Sequence, residues 1–137
     1  GDNDYGKYKK YESKTVKIVP FINDMAAAYS LSDLVVCRSG ALTLSEVTTC
    51  GKPSILVPFA AAAGNHQMKN AETLHEAGAS ILIEEKDLNS NKLFKNINYL
   101  INNRKSLEKM SLAAKTLGKP HATKEIADHV IDMVSNV

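Results

Sequence analysis

Apolar positions along this chain fall into short continuous runs, separated by small-residue turns and by stretches with helical spacing. Val16-Lys17-Ile18-Val19-Pro20-Phe21 is short and β-branched and predicts a strand. Asn23 or Asp24 can cap a following helix, which Met25, Ala26, Ala27, Ala28 and Tyr29 propagate. Leu34-Val35-Val36-Cys37 is a continuous apolar run of strand length, the pattern of a strand covered on both faces. Ser39-Gly40 breaks that run, and residues 41–50 read as a helix closed by Gly51. Ser54-Ile55-Leu56-Val57-Pro58-Phe59 predicts a third strand, followed by a loop of four alanines and Gly64. Asn65 is placed to cap a helix over 66–77, closed by Gly78, and Ser80-Ile81-Leu82-Ile83-Glu84 predicts a fourth strand. From Asn89 the pattern turns helical, with Leu93, Ile97, Leu100 and Ile101 on one face. Two more helices are expected over 107–117 and 123–134.

Strands alternating with helices imply an α/β fold, a Rossmann-like parallel sheet with flanking helices. The strand-helix core with its candidate ligand motifs occupies 14–88, and C-terminal helices occupy 89–137. In such sheets ligands bind beyond the carboxyl ends of the strands. That rule directs attention to 20–22, 38–41 and 58–65.

Composition alters this picture little. A length of 137 residues fits one domain, and 44% apolar with 23% charged residues is ordinary for a globular chain. A net charge of +2 is too small to argue for nucleic acid or an acidic membrane surface. Lys7, Lys9, Lys10 and Lys14, beside Tyr5, Tyr8 and Tyr11, could form a basic-aromatic contact patch, but the pattern favours a solvated, partly helical segment. Cys37 and Cys50 have no CxxC partner and are expected to be buried free thiols in a reducing compartment. His75, His121 and His129 lack metal-ligand spacing, and neither metal nor cofactor is expected. No run approaches the ~20 apolar residues that span a bilayer, and no signal peptide is read, so the expected location is cytoplasmic.

Three segments can carry chemistry. In Cys37-Arg38-Ser39-Gly40-Ala41-Leu42-Thr43-Leu44-Ser45-Glu46 a buried strand opens into a helix through small residues. The free amides and dipole of that helix start favour an anion, and Ser39 and Gly40 allow a phosphate to approach the backbone. Thr43 adds a hydroxyl, and Glu46 can accept both hydroxyls of a ribose. A plain strand-helix turn, with Glu46 as favourable charge near a helix start, accounts for the same residues. At the first strand's end, Phe21 can cover a base and the Ile22 backbone can read its edge, although the pattern alone favours core packing for them. His66, Gln67 and Asn70 open the third segment, and Gln67 and Asn70 share a helix face. Amides on one face suit sugar hydroxyls, although capping and surface solvation also fit.

Three strings, in order, resemble the MurG family of bacterial glycosyltransferases. They are Pro20-Phe21-Ile22-Asn23-Asp24-Met25-Ala26-Ala27-Ala28-Tyr29, the Cys37-to-Glu46 string, and His66-Gln67-Met68-Lys69-Asn70-Ala71. The resemblance implies the two-domain GT-B architecture, with this chain as an incomplete C-terminal, UDP-sugar-binding domain over 1–137. It implies an inverting enzyme that moves N-acetylglucosamine from UDP-N-acetylglucosamine to a lipid-linked muramoyl-pentapeptide, lipid I to lipid II, in peptidoglycan synthesis. Carried over, Phe21 caps the uracil and the Ile22 backbone bonds it. Ser39, Gly40, Ala41, Leu42 and Thr43 hold the diphosphate and reach the sugar, and Glu46 holds the ribose. Gln67 and Asn70 contact the sugar, with His66 close by. Met25 and Arg38 belong to the matching strings without an individual contact.

The resemblance also implies what lies elsewhere. The family's domain opens with a strand, a glycine-rich loop, a helix and a second strand that this chain lacks. The acceptor site, the catalytic base and the contact with the inner face of the cell membrane belong to the other domain. No catalytic residue is therefore expected here, and the chain alone is expected to be inactive. An alternative is a nucleotide-sugar-binding subunit of a split glycosyltransferase that needs a partner chain. A sheet missing two strands is also expected to dimerise, swap elements or fold its first residues over the gap.

Overall fold

The computed structural model describes residues 2–135. They form two compact units, one ending at Leu31 and the other starting at Ser32.

The first unit holds α1 (Asp2–Tyr8), a 3-10 turn (Lys9–Tyr11) and α2 (Met25–Leu31). Asp24, not Asn23, starts α2: its Oδ1 accepts from the Ala27 amide at 2.9 Å and its carbonyl accepts from Ala28. This satisfies donors that a helix start otherwise leaves open. The strand expected over 16–21 does not form. Ser13 instead turns the chain, its Oγ accepting from the Val16 amide and its own amide donating to the Val16 carbonyl. β-Branched residues favour extended backbone, but a strand exists only where a neighbour completes the ladder, and Pro20 has no amide to contribute.

The second unit alternates β1 (Val35–Cys37), α3 (Ala41–Thr49), β2 (Ser54–Leu56), α4 (His66–Glu76) and β3 (Ser80–Leu82). Three helices follow: α5 (Ser90–Ile101), α6 (Arg104–Leu117) and α7 (Ala122–Ser135). The strands are parallel in the order β1-β2-β3, with Val36 opposite Ile55 and Ile55 opposite Ile81. Helix α6 begins three residues before the expected start because Asn103 caps it, its Oδ1 accepting from the Ser106 amide.

The central strand sorts the core into two layers, as alternation along a strand requires. Leu56 packs with Leu44, Ala71, Leu74, Ala79 and Ala114. Ile55 and Val57 pack with Ile83, Leu100 and Met110. Helices α3 and α4 end alike. The Gly51 amide donates to Thr48 and Lys52 to Val47; the Gly78 amide donates to His75 and Ala79 to Leu74. Gly51 and Gly78 have φ of 61° and 74°, the left-handed turn that closes a helix and returns the chain to the next strand. Cys37 is half-buried in the first layer, where burial pushes its thiol up to about 11, so it stays protonated. Cys50, expected to be buried, is exposed, because the residue that caps α3 lies outside the packed face.

Candidate functional site

Parallel strands place the starts of α3 and α4 beside each other at the carboxyl edge of the sheet. Ser39 is fully buried there, and its Oγ donates to the Gln67 carbonyl at 2.7 Å. Asn70 Nδ2 donates to the Ser39 carbonyl at 3.2 Å. The turn after β1 is thus fastened to the first turns of α4 from both sides.

What this fastening presents is the open end of α3. Gly40 is its N-cap, with φ −66° and ψ 146°, and no side chain caps the helix. The first intrahelical bond runs from the Leu44 amide to the Gly40 carbonyl, so Ala41, Leu42 and Thr43 hold amides without intrahelical acceptors. Ala41 and Leu42 are exposed. A Cβ at Gly40 would meet nothing within 4 Å, and its backbone lies where any residue is allowed. Neither packing nor conformation of this chain requires glycine at that position.

The start of α4 differs from the expected capped helix. Asn65 lies at the N-cap in the left-handed region, φ 56°, and its side chain makes no capping bond. Gly64 before it has φ 59°. The turn is held from the other side, with the Phe59 amide donating to Gln67 Oε1 at 3.0 Å. Gln67 therefore spends its oxygen and Asn70 its nitrogen on the fold.

Arg38 ties the loops together. Its Nη1 donates to the carbonyls of Val57 and Pro58, both at 3.2 Å, and its Nη2 lies 2.5 Å from Glu85 Oε1. The other oxygen of Glu85 accepts from the Ala60 amide at 2.9 Å. The guanidinium also sits over the Phe59 ring, 5.4 Å from its centroid. Sequence reasoning missed Glu85 as a member of the site, and did not single out Phe59 within the 58–65 stretch it flagged. The signal for Glu85 was its position directly after the run at 80–84 that predicts the last strand.

Of the residues read from sequence, Arg38, Ser39, Gln67 and Asn70 are joined in this network, with Gly40, Ala41, Leu42 and Thr43 forming the helix start beside it. Glu46 is exposed on the second turn of α3, and His66 is exposed at the first position of α4. Phe21, Ile22 and Met25 belong to the first unit, where all three are exposed. A cleft of about 620 Å³, lined by Lys52, Arg104, Leu107 and Ser111, contains none of these residues.

The Ala60 amide, and then the Arg38 guanidinium, hold the Glu85 carboxyl below its ordinary value. A carboxyl lowered in the folded state contributes stability above its ordinary value and loses it as pH falls through the lowered one. The Ala60 amide is therefore expected to stay protected from hydrogen exchange at neutral pH and to be released only in acid. Protection factors followed down in pH check this; release near neutrality would contradict it.

The chain matches the glycosyltransferase family 28 C-terminal domain over residues 1–128. It is 52% identical over 120 residues to a UDP-N-acetylglucosamine--N-acetylmuramyl-(pentapeptide) pyrophosphoryl-undecaprenol N-acetylglucosamine transferase of Anaeromyxobacter sp. (strain K), covering 88% of this chain and 31% of that protein. A protein of the same name from Myxococcus xanthus (strain DK1622) is 42% identical, covering 98% of this chain and 36% of its own length. The crystal structure of Acinetobacter baumannii MurG aligns with a TM-score of 0.84 at 32% identity, over 100% of this chain and 41% of that one. The chain thus spans about a third of the length of the curated relatives it matches. Matched over nearly its whole length in both sequence and fold, it belongs to glycosyltransferase family 28, within the C-terminal domain of that family.

Proposed function

We propose that this chain is the donor-binding part of an inverting glycosyltransferase that uses UDP-N-acetylglucosamine and builds lipid II from lipid I. The observation that carries this reading is the uncapped start of α3, where a glycine is present that neither packing nor backbone conformation requires. Close approach by a ligand gives that glycine a purpose. The diphosphate lies against the amides of Ala41, Leu42 and Thr43, favoured by a helix end that carries roughly half a positive charge. Glu46 accepts the ribose hydroxyls. Gln67 keeps its NH2 and Asn70 its carbonyl oxygen, a donor and an acceptor suited to a sugar hydroxyl. His66 stands beside them. Phe21 and the Ile22 backbone take the uracil, with Met25 next to them.

The acceptor hydroxyl attacks the anomeric carbon, the bond from that carbon to UDP breaks, and a base outside this chain takes the proton. Charge that develops on the departing UDP is met by fixed amide dipoles already in place at α3. Lipid I, the base and the contact with the cytoplasmic face of the membrane belong to the remainder of the enzyme. Among the described residues no helix is long and apolar enough to cross a membrane.

Calorimetric titration with UDP-N-acetylglucosamine tests the reading. Saturable binding is expected, weakened about tenfold in Glu46→Ala by loss of hydrogen bonds to a charged group. A folded chain that shows no binding, or a Glu46→Ala variant that binds as the parent does, would falsify it.

A further inference from the structure

Glu85 stands outside the segments assigned to the donor, yet it closes the network around them. Its two oxygens serve two different donors, Arg38 Nη2 and the Ala60 amide. Arg38 departs from the end of β1 and also holds the carbonyls of Val57 and Pro58 at the end of β2. Glu85 itself opens the 3-10 turn Glu85–Asp87 that follows β3. One carboxylate and one guanidinium therefore join the carboxyl ends of all three strands. Between their attachment points lies Phe59, whose amide holds Gln67 Oε1. The connection runs from Glu85 through the 57–60 backbone to the amide side chain that faces the sugar.

The diphosphate side is fastened by different bonds. The turn that sets the start of α3 is held by Ser39 on the Gln67 carbonyl and by Asn70 on the Ser39 carbonyl, without Glu85. We infer that Glu85 is a positioning residue for the sugar half of the donor site: with Arg38 it sets the 57–60 backbone that aims Gln67. This rests on the donor-site reading above. The carboxylate is needed because both of its oxygens accept. A glutamine would keep one acceptor and turn an NH2 toward the other donor, leaving two donors face to face. The lowered titration of Glu85 agrees with a carboxylate held at both oxygens.

The test compares UDP with UDP-N-acetylglucosamine on the same chain. In Glu85→Gln, affinity for the sugar nucleotide is expected to fall about tenfold while UDP changes less than about twofold, the scale of one charge-assisted hydrogen bond removed from the sugar side only. In the unliganded variant the Ala60 amide is expected to exchange faster. Arg38→Lys, which keeps the charge but not the fork of nitrogens, is expected to speed Ala60 exchange as well and so provides a second variant if the first does not fold. Equal losses for UDP and UDP-N-acetylglucosamine, or no loss for either, overturn the positioning role while leaving the donor site standing. If the parent chain binds neither ligand, the donor-site reading fails, and the positioning role falls with it.

Discussion

Gly40→Ala is expected to weaken UDP-N-acetylglucosamine binding about 10- to 100-fold, the value of one or two charge-assisted hydrogen bonds, with little change in stability. Two small terms act on the fold. Alanine restricts the unfolded chain and gains about 0.4–1 kcal/mol, since φ −66° suits it. Alanine is also a poorer N-cap than glycine, by a similar amount. With open space around the new methyl, these nearly cancel. The ligand meets a different situation, because a diphosphate must come within about 3 Å of the first-turn amides, and a methyl at the cap stands in that approach. Titration calorimetry and thermal melts on one preparation separate the two effects. Parent-like affinity in Gly40→Ala would mean that the diphosphate does not lie at this helix.

Leu56→Ala is expected to cost about 3–5 kcal/mol, the upper part of the range for a buried leucine. Leu56 is fully buried on the central strand, with ladders on both sides that hold its backbone in place. Three of its five buried neighbours, Ala71, Ala79 and Ala114, have no rotamers with which to fill a cavity. Against a total of about 5–15 kcal/mol for a domain, that loss is a large fraction. Leu56→Met, nearly volume-conserving, is expected to cost less than about 1.5 kcal/mol. Urea unfolding of the three proteins checks both values. A Leu56→Ala loss below about 1 kcal/mol would show that the layer around it is loosely packed.

Much of the architecture was legible because it depends on local order. The runs at 34–37, 54–59 and 80–84 became β1, β2 and β3, somewhat shortened at their ends. Gly51 and Gly78 marked two helix ends correctly because a left-handed turn is a demand that glycine meets at no steric cost. The run at 16–21 misled for the complementary reason. Its residues prefer extended backbone, but preference supplies no partner for their amides. Asn65 has the composition of a cap and the backbone of a left-handed turn, and its oxygen cannot serve the helix from there.

The candidate site divides along the same line. The order of small residues at 39–41 after an apolar run, and the three-residue spacing of Gln67 and Asn70, are local facts that place an open helix start and a polar face at one sheet edge. Spacing cannot show which atoms of those side chains remain for a ligand. That was decided when β1, β2 and β3 came side by side and Gln67 gave its oxygen to Phe59 and Asn70 its nitrogen to Ser39. Glu85 is the sharpest case. It lies 47 residues from Arg38, and nothing in the local pattern around either predicts the other. Parallel strands put their carboxyl ends together however far apart they are in sequence, so a charge pair between those ends belongs to the tertiary structure alone.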